Sequence, residues 1–317
     1  MGKNVEEIIM SHEKIYDSTF KRMFKLSNRM LIKFVNQIFK KNYSLDEEVI
    51  FLDVNTISEN NYTLEKDLYF QIRNERYQIE AQTYWDDMMF RLFEYATNSI
   101  DGNYEKIDSS HAIFRIPQQA VVYLKDTNKA NNKLYIKIIP PNGEPTKYVA
   151  EAVRALGYSP QELVDNNMEI LLPFQIIRLW KKAKEYSNLS EDNKNTFLYE
   201  FEEMCYNIVK VMDKLKQKSQ ITNDEYQQMF LIIHDLYDYI YGTIDDISEK
   251  GADSMIKERF ISTYDKALTE GSYERALKIA ENMIKANMSA IEIEKLTELK
   301  LADIKPLAEK LKVSLVI

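Results

Sequence analysis

Two carboxylates and a carboxamide fall close together in the segment EKDLYFQIRNERYQIEAQTY, residues 65–84. Leu68, Phe70 and Ile72 alternate with Asp67, Tyr69 and Gln71, and Tyr77, Ile79 and Ala81 alternate with Gln78, Glu80 and Gln82. Period two is the signature of half-buried strands, and the polar run Arg73-Asn74-Glu75-Arg76 suits a tight turn between them. With Asn74 and Glu75 as a two-residue loop, Asp67 falls opposite Gln82, and Glu80 lies diagonal to Asp67 on the same face. Opposed side chains sit roughly 4.5–5.5 Å apart at Cβ and diagonal ones about 7–8 Å, so the two carboxylates can reach one small cation. A one-residue slip would place them on opposite faces. The other face is apolar and is predicted to pack on the core. On periodicity alone, a polar face of this kind reads as one shown to water, so flanking sequence has to carry any argument for a site.

The elements around the hairpin follow from the same patterns. Phe20, Met23, Phe24, Leu31, Phe34, Val35 and Ile38 recur at helical spacing over 13–40, with Asp17 and Lys21 four apart on another face. Residues 48–57 read as a strand. Met89, Leu92, Phe93 and Ala96 make one face of a helix over 86–99, which carries Arg91 and Tyr95 at i,i+4. Residues 118–124 and 133–139 read as strands, with Pro117 before the first and Pro140-Pro141 ending the second. Beyond Pro173 the chain turns helical. Phe197, Phe201, Cys205, Ile208, Met212 and Leu215 form a stripe, and Thr222-x-x-Glu225 is a capping box for the next helix. Tyr273, Ala276, Leu277, Ala280, Met283 and Ile284 share a face over 272–286, Ser289-x-x-Glu292 caps a short helix, and a last helix lies near Leu301–Leu311. A helix, three strands, a helix and two strands predict an α/β domain around a mixed sheet, followed by an all-α region.

The whole chain narrows the chemistry. At 317 residues it can bury a large core. A formal charge of −8 gives no global pull toward nucleic acid or an anionic membrane. Local basic patches remain at Arg178, Lys181, Lys182 and Lys184 and at Lys210, Lys214, Lys216 and Lys218, each most simply a solvated helix face. No apolar run is long enough for a membrane span, and MGKNVEEIIMSHEK has acids where a signal peptide would be apolar. Cys205 stands alone, which fits a reducing compartment and an expected cytoplasmic location. The seven glycines never cluster, so no phosphate-binding glycine loop is present. His12, His111 and His234 make no zinc pattern. Carboxylates are therefore the most promising catalytic material.

Three further segments give the hairpin a context. YDSTFKRMF (16–24), KDLYF with YQIEAQ (66–82) and RLFEYA (91–96) together resemble the recombination-promoting nuclease (transposase-like) family of the PD-(D/E)XK nuclease superfamily. GSYERALKIAENMIKANMSAIEIEKLTELKLADI (271–304) is similar to the usual ending of that family. The resemblance runs from about residue 15 to about residue 311. It implies a restriction-endonuclease-like mixed sheet flanked by helices over 1–185, a helical region over 186–265 and a small helical segment over 266–317. It also implies Mg2+-dependent hydrolysis of DNA, with Mn2+ able to substitute. Asp67 would stand for the aspartate of "PD" and Glu80 for the acid of "(D/E)XK". Both would hold the metal, with the Ala81 carbonyl as a third ligand. Two carboxylates about 7 Å apart repel by roughly 2 kcal/mol at an effective dielectric near 20, so such a site is incomplete without its cation. Asp17 takes a supporting role, and Arg91 and Tyr95 contact phosphate or buttress the hairpin.

Two departures qualify the match. Lys66 replaces proline, a backbone preference only. Gln82 replaces lysine and brings no charge, so either Lys21 or Arg91 supplies the cation or catalysis is weakened. The alternative reading is a degenerate nuclease that binds DNA or oligomerises. From Gly271 onward, eight Lys or Arg stand against seven acids, a net of about +1, which gives little phosphate attraction. Ile291, Ile293, Leu296, Leu299, Leu301, Ile304, Leu307 and Leu311 are expected to need a partner surface. This segment is therefore expected to pack on preceding helices or on another subunit of a homo-oligomer, without reading DNA.

Overall fold

The computed structural model describes residues 5–52, 55–57, 63–84, 88–98, 104–125, 132–244, 246–247, 277, 280–281, 284, 289–297 and 299–311. The chain divides into two compact units, residues 1–256 and 257–317. The first is mixed α/β. Its six-stranded sheet runs in the order β1 (Val49–Phe51), β4 (Leu68–Ile72), β5 (Glu75–Gln82), β8 (Gln118–Tyr123), β10 (Thr146–Arg154), β9 (Lys133–Ile138). The three central strands β5, β8 and β10 are mutually parallel, and β1, β4 and β9 pair antiparallel. Two small hairpins lie apart from the sheet, β2 (Asn55–Ile57) with β3 (Thr63–Glu65) and β6 (Tyr104–Lys106) with β7 (Ala112–Phe114).

Helices cover both faces, as parallel central strands require. On one face α3 (Met88–Asn98) sets Met88 and Leu92 against Val121, Tyr123, Leu134, Ala150 and Ala152. On the other lie α1 (Val5–Phe24) and α2 (Asn28–Phe39), with Phe39 5.2 Å from the Tyr77 ring and Phe70 stacked on Tyr77 at 5.4 Å. A run of 3-10 turns, Glu169–Leu179, is buried almost throughout and packs against α2, α4 (Pro160–Asp165), α5 (Trp180–Lys184), α6 (Glu191–Gln217) and α7 (Asn223–Tyr241). The first unit thus contains both the sheet and the helices beyond residue 186. No described helix is long and apolar enough to cross a membrane.

Several expected elements differ. The helix over 13–40 is two helices, because the chain turns at 25–27 and the Ser27 side chain accepts from the Met30 N–H to start α2. The strand over 48–57 is two short ones, with residues 53 and 54 outside the described set. Strand β10, absent from the sequence reading, lies between β8 and β9. The Thr222–Glu225 capping box forms at the start of α7.

The second unit is described in part, and Tyr273, Ala276 and Met283 lie outside the described residues. The Ser289–Glu292 cap forms ahead of α8 (Ala290–Thr297), and α9 (Leu301–Leu311) follows. Ala280, Ile284, Ile293, Leu299, Ile304 and Ala308 make a cluster of their own, with Leu277, Leu307 and Leu311 packed on it. Of the groups expected to need a partner surface, Ile293, Leu299, Ile304, Leu307 and Leu311 belong to this cluster, Ile291 is exposed, and the Leu296 side chain lies outside the described residues.

Phe174 is fully buried in the 3-10 run, 6.1 Å from the Phe20 ring. Phe174→Ala is expected to cost about 3–5 kcal/mol in urea unfolding. A loss below about 1 kcal/mol would show that this layer is not part of the core.

Candidate active site

The hairpin closes one step earlier than its sequence suggests. Ile72 pairs with Glu75 and Leu68 with Ile79, so Arg73 and Asn74 form the loop, and Arg73 takes φ +52°. Relative to the expected register the strands are offset by two residues. An even offset keeps every side chain on its face, but it sets Asp67 opposite Glu80 and leaves Gln82 beyond the pairing. Continued one step past the Leu68–Ile79 pair, this register sets Asp67, the residue before β4, opposite Glu80 rather than diagonal to it.

Hydrogen bonds fix both acids. Asp67 Oδ2 accepts from the Ala81 N–H at 2.7 Å, and the Asp67 N–H donates to Glu80 Oε1 at 3.4 Å. Because Gln82 O accepts from the Leu124 N–H on the β8 side, at 2.8 Å, the backbone of its neighbour Ala81 faces the opposite edge, toward Asp67. Glu80 Oε1 also accepts from Gln78 Nε2 at 2.8 Å. Gln119 Nε2 in turn donates to Gln78 Oε1 at 2.8 Å and to the Leu92 carbonyl of α3 at 2.9 Å. The polar face is not shown to water: α3 covers it, and Gln78, Glu80, Gln82 and Gln119 are all buried. Sequence reasoning missed Gln78 and Gln119. Their only signal was a second glutamine strand, QQAVVY, whose pairing partner the pattern did not identify.

Helix α1 brings Lys21 and Asp17 to the acids. Lys21 Nζ is 3.0 Å from Asp17 Oδ1 and 3.8 Å from Asp67 Oδ1. Helix α3 contributes Arg91, whose guanidinium lies 3.3 Å from the Tyr95 hydroxyl and whose charge acts on Glu80. Asp17, Lys21, Asp67, Glu80, Arg91 and Tyr95 are therefore gathered in one region. Gln82 lies on the same strand, with its amide 3.2 Å from the Met88 sulfur.

Burial dominates the electrostatics. The Glu80 carboxyl is pushed up to about 8, first by burial and then by the Asp67 charge, against the opposing effects of the Gln78 amide and Arg91. Asp67 is pushed up to about 7, mainly by burial and also by Asp17, while the Ala81 N–H and Lys21 act in the opposite sense. The two acids titrate as a pair. Carboxylates whose negative charges are unwelcome to the fold are what a bound cation relieves.

Comparison of the chain with protein-family models, with curated proteins and with solved structures returned no match. The site therefore has to be read from its own chemistry. Its donors are oxygens, which suit a hard cation. Mg2+ keeps several waters and takes only one or two carboxylates, so Asp67 and Glu80 fit it. Among the described residues no group of three or more His, Cys, Asp and Glu is assembled for a metal.

The raised carboxyls give a stability prediction with a definite sign. Below the ordinary carboxylate values of 3.8 and 4.5 both acids are neutral whether the chain is folded or not. As pH rises toward 7–8 the unfolded chain loses protons that the folded chain keeps, so stability falls. Glu80→Gln is expected to match the wild-type melting temperature near pH 4 in EDTA and to exceed it increasingly from there up to pH 8. A difference that does not grow with pH would show that the Glu80 charge is already compensated.

Proposed function

We propose that the chain is a Mg2+-dependent endonuclease that hydrolyses phosphodiester bonds of DNA, built on a restriction-endonuclease-like sheet. The observation that carries this reading is the meeting of half-buried Asp67, just before β4, with buried Glu80 of β5, beside Asp17 and Lys21. The resemblance of residues 16–24, 66–82 and 91–96 to the recombination-promoting nuclease family supports it. When bound, Mg2+ would acidify a water and offset charge on the scissile phosphate. Asp67 and Glu80 would hold it, with the Ala81 carbonyl on the same edge. In the reaction a water oxygen bonds to phosphorus, one bridging P–O bond breaks, and the leaving oxygen takes up a proton.

The chain's own residues have distinct tasks in that reaction. The Ala81 N–H holds Asp67 Oδ2 and leaves Oδ1 toward Lys21. Lys21 is placed to supply the positive charge that Gln82 lacks, and Arg91 with Tyr95 to steady the Glu80 side or receive phosphate. A degenerate, DNA-binding protein is the second reading, favoured by the deep burial of Glu80 and by the Gln82 amide resting on Met88.

Purified protein should nick supercoiled plasmid with Mg2+ or Mn2+ and stop with EDTA. Asp67→Asn and Glu80→Gln should each lower the rate by more than the roughly 10–100-fold that loss of a supporting partner costs at a metal site, with circular dichroism unchanged. Lys21→Gln should lower it less than either. Nicking that survives both acid substitutions would remove this site. Absence of nicking together with DNA retention in a gel shift would favour the degenerate reading.

A further inference from the structure

The first unit carries an open groove of about 800 Å3. It lies at the carboxyl ends of the parallel strands β5 and β8, where open α/β sheets place their ligands. Three of its lining residues are near neighbours in sequence of residues at or next to the acid pair: Tyr84 comes two residues after Gln82, Lys125 follows Leu124, whose N–H donates to the Gln82 carbonyl, and Tyr16 precedes Asp17. The far wall is Trp180 and Lys184 of α5.

The lining combines two lysines with aromatic rings. Lys125 Nζ sits 4.4 Å from the Tyr16 ring and 4.5 Å from the Trp180 ring, so its ammonium is set in place rather than left to wander. Lys184 is exposed, and Tyr84 is 49% exposed. Asp246 is the one acid among the lining residues described, and its Oδ2 accepts from the Tyr186 hydroxyl at 2.7 Å. Of the basic patch in sequence, Lys182 pairs with Glu200 and Arg178 with the Tyr158 carbonyl, while Lys184 faces the groove.

We infer that this groove binds an unpaired polynucleotide strand, with a base stacked on Tyr84 and neighbouring phosphates on Lys125 and Lys184. Ring faces are available only to bases that are not already stacked within a duplex. A volume of this size suits one or two nucleotides. Two cations on a chain of net charge −8 suit two phosphates rather than a long charged track. The inference names the substrate class of the proposed hydrolysis and rests on that reading only for its cleavage arm.

The binding arm needs no cleavage. The chain has two tryptophans, Trp85 and Trp180, so Trp85→Phe leaves Trp180 as the sole reporter in the groove. In EDTA, a short oligothymidylate should quench Trp180 emission, and a duplex of equal length should bind at least about tenfold more weakly. The logarithm of affinity should fall with log salt at a slope of about −1.4, for two phosphates on a single strand. Lys184→Gln should bring that slope to about −0.7. Tyr84→Ala should weaken binding about tenfold, and Tyr84→Phe should restore it. No quenching, equal or tighter duplex binding, or indifference to both Tyr84→Ala and Lys184→Gln would overturn the inference. Strand binding without any metal-dependent cutting would sink the nuclease reading and leave the groove standing. Cutting that depends on Asp67, with single-strand kcat/KM unchanged in the two groove variants, would do the reverse.

Discussion

The register between β4 and β5 is the constraint on which the site hangs. A hydrogen bond from the Ala81 N–H to the Asp67 side chain, at Oδ2 and 2.7 Å, pins the residue that precedes β4 to the end of β5. It makes the last step of the pairing a side-chain contact, and it sets Asp67 opposite Glu80. A slip by one residue would put the two acids on opposite faces and break this bond. The apolar face enforces the register as well, because Leu68, Phe70, Ile72, Tyr77 and Ile79 are all fully buried and cannot exchange places with the polar set.

Around that register the fold sets up a local conflict. Setting a buried carboxylate, Glu80, beside a half-buried one, Asp67, costs stability. The relay from the Leu92 carbonyl through Gln119 and Gln78 to Glu80 satisfies the buried amides and aims a donor at the carboxylate. That donor favours the charged form, while burial and Asp67 oppose it. Local conflicts of this kind are expected at functional sites, where stability gives way to chemistry. The helices resolve it in part: α1 brings Lys21 to the Asp67 side, and α3 brings Arg91 to the Glu80 side.

Much of this was legible in the sequence, for identifiable reasons. Alternation across residues 67–82 showed the hairpin and its two faces, since period two does not depend on context. The exact register was not legible, because Arg73 adopts a left-handed backbone that its residue type gives no reason to expect. The burial of the polar face was hidden as well: alternation says which side chains share a face but not whether a helix will cover it. Strand β10 escaped because the alanines, glutamate and lysine of TKYVAEAVR, residues depleted in strands, offset its valines, tyrosine and threonine. It is held there by pairing with β8 and β9. Tyr16, Tyr84, Lys125 and Trp180 are scattered along the chain, and only the fold brings them to one groove.

The central claim is that Asp67 and Glu80 form a site for a divalent cation, and one measurement addresses it directly. A crystal soaked in Mn2+ and measured at a wavelength where manganese scatters anomalously locates the ion without any assumption about activity. The account predicts a peak within coordination distance of an Asp67 carboxylate oxygen and of Glu80 or the Ala81 carbonyl, and its loss in Asp67→Asn. An ordered site with no peak, or a peak bound only by other residues, would contradict it.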